Sequence, residues 1–248
     1  MLSILLLAVA AFMAGALNAL AGGGTFLTFP ALVFLGVPPI AANATSTVSV
    51  LPGYVSSAYA FRRDVGPVQG VGLPGLMAAS LAGGVAGALL LLVTPAAVFS
   101  GIVPWLLLVA TVLFAFGPRM TRWLRSRGGR PAGKVAVLAT VTAVSVYGGY
   151  FNGGLGILLL AAFSLLGLTD LNRMNGLKVV LSAVLAVISA ATFAVAGIVA
   201  WQEAAIMAIA ATLGGYWGAR AARRIPPDAL RMGIVAVGLA MSVLFFAK

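Results

Sequence analysis

Ala21-Gly22-Gly23-Gly24-Thr25 interrupts an apolar stretch that runs from residue 2 to 35, and Asn152-Gly153-Gly154-Leu155-Gly156 interrupts another from 135 to 168. A single straight helix over either stretch would be about 50 Å long at ~1.5 Å per residue. That far exceeds a ~30 Å hydrocarbon core. Glycine is costly inside a helix and permits a sharp reversal. Each stretch therefore reads as a hairpin of two short or half helices with its glycines at the tip. The second limbs are expected to cover Thr25 to Leu35 and Gly156 to Leu166.

The hairpins are copies of one another. Gly22, Gly23, Leu27, Ala31, Leu35 and Gly36 recur 131 residues later as Gly153, Gly154, Leu158, Ala162, Leu166 and Gly167. The same offset relates Gly83, Gly84, Gly87, Ala88 and Pro95 to Gly214, Gly215, Gly218, Ala219 and Pro226. The period is far too long for a solenoid. In an apolar chain it matches the duplicated architecture of membrane transporters.

Of the 248 residues, 62% are hydrophobic and 8% charged, against roughly 25% charged in soluble domains. Further apolar segments lie at 37–61, 68–94, 96–117, 176–200, 204–219 and 229–247. A signal peptide or a lone soluble core helix does not explain such a series. The expected fold is an all-α polytopic membrane protein built from two inverted-topology repeats. Each repeat is a Gly-broken helical hairpin followed by three transmembrane helices. The expected units are 1–117, a basic cytoplasmic linker at 118–134, and an inverted second repeat at 135–248.

The inversion follows from charge. If every segment crossed once, Arg220, Arg223, Arg224 and Arg231 would fall opposite Arg119, Arg122, Arg125, Arg127, Arg130 and Lys134, against the positive-inside bias. If both hairpins return to the side they came from, 14 of the 15 Lys and Arg residues become cytoplasmic and only Lys248 lies outside. Each half then makes an odd number of crossings, which inverts the second, and both termini are external. The net charge of +11 thus reads as topology, not as a nucleic-acid surface, since no basic loop carries stacking aromatics beyond Trp123. The linker could also meet anionic lipid.

Several chemistries are excluded. The chain has no Cys and no His, which removes thiolate chemistry, haem and iron–sulfur ligation, most zinc sites and histidine relays. No cofactor, metal site or catalytic constellation is expected. The four acids, Asp64, Asp170, Glu203 and Asp228, sit at or near the edges of apolar segments. No carboxylate lies mid-membrane to bind a cation or relay a proton.

Two sets of residues suit an anion. At the tips, Gly22, Gly23, Gly24 and Thr25, and Asn152, Gly153, Gly154 and Gly156, precede or open a helix whose N-terminus carries unpaired N–H groups and partial positive charge. The competing reading is close helix packing by glycine. The second set opens the next segment of each half: Asn43, Thr45, Ser46 and Thr47, then Asn172, Arg173, Asn175 and Lys178. An offset of 132 matches Asn43 to Asn175. Helix capping by Asn and Thr and snorkelling of Arg173 and Lys178 are the alternatives. Lys178 is the sharper candidate, because a long apolar run follows it and only Asp170 is a nearby acid. Gly83-x-x-x-Gly87 and Gly214-x-x-x-Gly218 read as packing motifs. Pro52, Pro74 and Pro104 read as kinks, and Trp105 and Trp201 as interface anchors.

At these residues the chain resembles the sulfite exporter TauE/SafE family of membrane permeases. The resemblance is carried by Gly15-Ala-Leu-Asn-Ala-Leu-Ala-Gly-Gly-Gly24, Phe29-Pro30, Leu35-Gly-Val-Pro38 and Ala42-Asn-Ala-Thr-Ser46. In the second half it is carried by Tyr147-Gly-Gly-Tyr-Phe-Asn-Gly-Gly-Leu-Gly156, Asn175-Gly-Leu-Lys178 and Gly214-Gly-Tyr-Trp-Gly-Ala219. It covers essentially the whole chain. It implies a bacterial inner-membrane permease that moves sulfite or related sulfur-containing and organic anions. The halves differ at Asn175-Gly176 against Asn43-Ala44, and Leu155 stands where a third glycine is found in the first tip. The expected function is alternating-access transport of a small oxyanion or organosulfonate. A passive anion channel and a non-transporting helix-binding scaffold remain as alternatives, and assembly of several copies stays open.

Overall fold

The structure is a computed structural model that describes residues 2–20, 23–61, 65–126, 133–221 and 227–246. Ten helices are found there: α1 (Leu2–Leu20), α2 (Thr25–Phe34), α3 (Pro39–Ala60), α4 (Leu73–Val93), α5 (Ala96–Ser126), α6 (Lys134–Tyr150), α7 (Leu155–Leu165), α8 (Leu171–Val195), α9 (Trp201–Ala221) and α10 (Pro227–Phe246). No strand occurs among the described residues beyond an isolated bridge between Val68 and Val71. The count is five helices per half, as the hairpin-plus-three reading requires.

Local chemistry sets the boundaries. Asp170 caps α8 by accepting from the amides of Asn172 at 2.9 Å and Arg173 at 3.3 Å. This cap starts α8 at Leu171, five residues before the apolar segment, because apolarity marks the buried part of a helix and not its ends. Pro74 stands in the first turn of α4, where its missing N–H is harmless. It starts that helix and does not kink it. Before it, Val68 and Val71 exchange two 2.9 Å hydrogen bonds around Gln69 and Gly70, both at positive φ. Residues 68–72 are therefore a turn and not the start of a helix. Pro30 and Pro52 do lie inside α2 and α3. At the other end, α5 continues past the apolar segment to Ser126, through part of the expected linker. Arg, Met and Leu form helix well, and charge alone does not stop one.

The repeat is visible in hydrogen bonds. Val37 donates to Leu32 O at 3.1 Å and Gly36 to Val33 O at 3.0 Å, closing α2 with a Schellman turn. At the same offset of 131, Leu168 donates to Phe163 O at 2.9 Å and Gly167 to Ser164 O at 3.1 Å, closing α7. Gly36 and Gly167 have φ of 89° and 85°, the left-handed region that glycine enters without penalty. Packing between halves is reciprocal as well. α1 lies on α9 as α6 lies on α4, and α3 on α9 as α8 on α4. α5 meets α7 as α10 meets α2, while α3 pairs with α8 and α5 with α10. Exchanging the two halves leaves this pattern unchanged.

Glycines make the tightest of these contacts. A Cβ on Gly83 would lie 2.5 Å from Thr142 O of α6, and one on Gly87 would enter the backbone at Val146 and Tyr150. Gly15 and Gly214 bring α1 and α9 together in the same way. The packing reading of Gly83, Gly87 and Gly214 therefore holds, while the side of Gly218 lies outside the described residues.

Among the described residues, two helices, Leu73–Val93 and Asn172–Val195, are long and apolar enough to cross a bilayer, and five shorter apolar helices accompany them. α2 and α7, of 10 and 11 residues, are only about 15–17 Å long at ~1.5 Å per residue. Each second limb is about half a crossing. The first limbs, α1 and α6, have 19 and 17 residues and are nearly complete, so the hairpins are unequal and not pairs of half helices. The outward faces carry bare apolar side chains, among them Leu2, Leu89, Val93, Val195 and Ile209, which is a surface suited to lipid. Trp105 and Trp201 are also exposed.

Candidate functional site

Both glycine tips interrupt the helix, and α2 starts at Thr25 as expected. The second break covers 151–154, so α7 starts at Leu155, one residue before the expected Gly156. Gly154 caps that helix with φ of 75°, a conformation unfavourable for residues with a side chain. Ile157 and Leu158 both donate to Gly154 O, at 3.0 and 3.1 Å, and Leu155 donates to Asn152 O at 3.4 Å. The amides of Gly153, Gly154 and Gly156 take no part in this ladder, the usual condition of a helix start. Tyr147 holds the tip by donating its hydroxyl to Gly153 O at 2.7 Å.

Asn152 is the unusual residue of this tip. It is 2% exposed, and neither its Oδ1 nor its Nδ2 has a hydrogen-bond partner. A buried primary amide without partners carries a desolvation cost of about 2–7 kcal/mol. Most buried polar atoms avoid that cost.

The first tip is arranged differently. Gly22 lies outside the described residues. Gly23, Gly24 and Thr25 are buried, and the amide of Gly24 donates to Asn18 Oδ1 at 2.8 Å. A Cβ on Gly24 would fall 2.6 Å from Ala14 O and 2.7 Å from Asn18 Nδ2. Part of the bare backbone expected at this tip is thus occupied by the chain's own Asn18, so the two tips are not equivalent.

The cluster on α3 does not cap it. The N-cap is Pro38 and makes no side-chain cap bond. Asn43, Thr45, Ser46 and Thr47 are instead almost fully buried. Asn43 Nδ2 donates to Tyr150 O at 2.9 Å, joining α3 to the end of α6 just before the second tip, while its Oδ1 is left without a partner. Thr45 accepts from the amide of Ala200 at 3.0 Å. Ser46 is bonded to Thr28 of α2, and Thr47 donates to Asn43 O at 2.9 Å. Phe29 of α2 meets Phe151 of the tip edge to face at 5.5 Å. The polar face of α3 and the second tip therefore belong to one neighbourhood.

On α8 the alternatives separate. Asn172 is exposed in the first turn, and Arg173 donates to Pro67 O, so this pair serves the helix end. Lys178 is not at the surface. It lies on the second turn, 6% exposed, and is the single charged side chain among the buried polar residues described. Its Nζ donates to Asn175 Oδ1 at 3.1 Å. That partner is neutral, and Asp170 is engaged in capping. Snorkelling does not describe a buried ammonium, which is expensive without a counter-charge. No hydrogen bond joins Lys178 to Asn43 or Asn152 among the described residues.

Sequence reasoning assigned no role to Asn18, Thr28 or Tyr147. Asn18 and Tyr147 lie within the glycine motifs, which was the available signal. Thr28 is set within an apolar helix and had none.

A family model described as "Sulfite exporter TauE/SafE" matches residues 7–245. The chain is 29% identical over 245 residues to a probable membrane transporter protein, ORF9, of Sinorhizobium sp, covering 96% of this chain and 90% of that one. It is 30% identical over 246 residues to the probable membrane transporter protein YfcA of Escherichia coli K12, with 98% and 90% covered. A probable membrane transporter protein of Haemophilus influenzae is 28% identical over 211 residues, with 84% and 81% covered. No solved structure matches the chain significantly.

Proposed function

The chain belongs to the sulfite exporter TauE/SafE family of membrane transporters, and on that premise we propose that it moves a small sulfur-containing oxyanion, such as sulfite, or an organosulfonate across a bacterial inner membrane. The observation that carries the reading is Lys178, a buried cation whose one hydrogen-bond partner among the described residues is neutral. A transported anion supplies the missing charge. Further donors would come from the unpartnered amide of Asn152 and the start of α7 at Gly153, Gly154 and Gly156, with Asn43 and Asn175 lining the approach. At the other tip, Gly23, Gly24 and Thr25 form the matching half, weaker because Asn18 already takes one amide.

Alternating access follows from the duplicated design. The halves stand in inverted orientation, with the run 118–134 cytoplasmic and both termini external, and rocking one half on the other exposes the site to each face in turn. Support comes from the distribution of Lys and Arg and from the reciprocal packing of the halves. A membrane potential negative inside favours anion exit by ~2.3 kcal/mol per charge per 100 mV, so export requires no coupling ion. Proton coupling, where it occurs, would use the substrate's own proton or water.

The test is uptake into proteoliposomes with sulfite, sulfate, thiosulfate and an organosulfonate, repeated with Lys178→Ala. Saturable flux of one of these anions, lost in the variant, is expected. Protein that reconstitutes folded and moves none of them refutes the proposal, and flux that never saturates favours a channel.

A further inference from the structure

Hydroxyl side chains inside apolar helices normally turn back to the carbonyl four residues earlier. Thr47, Thr111, Ser164, Thr192 and Thr212 all do so, at 2.7–2.9 Å. Ser182 and Ser189 of α8 do not. They are 1% and 0% exposed, and neither Oγ has any hydrogen-bond partner. Thr192 makes the bond on the same helix, so the backbone of α8 does not forbid it.

Their placement is not scattered. At about 100° per residue, Lys178, Ser182 and Ser189 fall within roughly 40° of one another and extend over about 16 Å of helix axis. The opposite side of α8 carries Val187, 48% exposed. One flank of the line is the Leu181 and Leu185 side, where Ser80 of α4 bonds Leu181 O. The other is the Ala183 and Ala186 side, which packs on Val50 and Tyr54 of α3. The line therefore faces the interior, in the seam between those two contacts. The matching positions on α3, at the offset of 132, are Ser46, Val50 and Ser57, of which Ser46 is bonded to Thr28 and Val50 has no hydroxyl.

We infer that Lys178, Ser182 and Ser189 form the transport path on α8, along which a partly dehydrated oxyanion leaves the lysine and is handed to two hydroxyl donors in succession. The inference rests on the transport reading above and names the route through that site. Lys178 sets the sign of the traveller. The hydroxyls supply donors beyond its reach, and their lack of protein partners keeps them free to give and release the anion without breaking a bond of the fold.

The chain has no cysteine, so single cysteines can be introduced directly. In membranes, Ser182→Cys and Ser189→Cys are expected to react with a negatively charged methanethiosulfonate, and sulfate or methanesulfonate, oxyanions that do not consume the reagent as sulfite does, should slow the reaction. Ala186→Cys, on the packed flank, should stay unmodified. Ser182→Ala and Ser189→Ala should each reduce sulfite flux about tenfold while remaining at least as thermostable as the parent, because each removes a buried hydroxyl without a partner. Thiols at 182 and 189 as inert as the one at 186, or serine variants with parental flux, overturn the path. Thiol reactivity is read without any transport assay, so absence of sulfite flux sinks the substrate proposal alone.

Discussion

Replacing Gly83 by alanine tests how the halves are held. The added Cβ would lie 2.5 Å from Thr142 O, 2.7 Å from Ser145 Cβ and 3.1 Å from Val146 N, where ordinary contact begins near 3.4 Å. Two of these three neighbours are backbone atoms of α6 and cannot rotate aside. α4 and α6 must separate by about 1 Å, a degree of overpacking that typically costs about 1–3 kcal/mol. Alanine also improves helix propensity by up to ~1 kcal/mol, which would mask part of that cost. Gly101→Ala isolates it, since nothing lies within 4 Å of a Cβ at Gly101 and Gly101 is also inside a helix. The propensity gain is common to both variants, so their difference is the clash. At roughly 2–4 °C per kcal/mol for a chain near this size, Gly83→Ala should unfold several degrees below Gly101→Ala. Thermal unfolding in one detergent, followed by tryptophan fluorescence, reads the difference. Coincident midpoints would refute the packing assigned to Gly83.

Other perturbations have equally definite outcomes. Asn43→Leu removes the bond to Tyr150 O and should destabilise the protein by about 1 kcal/mol, the scale of a hydrogen bond between membrane helices, measured by the same thermal assay. Asp170→Ala deletes the cap of α8 and should cost about 1 kcal/mol, with faster hydrogen exchange at the amides of Asn172 and Arg173 than at those near Val195. Single cysteines at Ser126 and Gly197 should label from the cytoplasmic and external faces respectively of intact cells and inverted vesicles. Labelling of both from the same side would exclude the proposed topology.

The glycine breaks were legible because glycine acts through the backbone, and a backbone signal survives without knowledge of neighbours. The same holds for Gly36 and Gly167, whose matched positions in sequence become matched Schellman turns. Apolar segments located the helices but not their ends. α8 begins at an acidic cap and α5 continues through arginines, and neither feature is apolar. The function of Asn43 was hidden for another reason, because its partner is a main-chain carbonyl 107 positions away and no residue type advertises a carbonyl. Ser182 and Ser189 look like any helical serine in sequence. Only the absence of a partner distinguishes them, and that is a property of the folded arrangement. Lys178 was legible because an ammonium within an apolar run is costly wherever it lands.

Sulfite binding to the purified protein, measured calorimetrically for the parent, Lys178→Gln and Lys178→Arg, addresses the buried counter-charge most directly. A charge-assisted contact is worth about 1.5–3 kcal/mol. Glutamine at 178 should therefore weaken binding by about tenfold or more, whereas arginine should keep it within a few-fold. Glutamine binding as tightly as lysine would contradict the account.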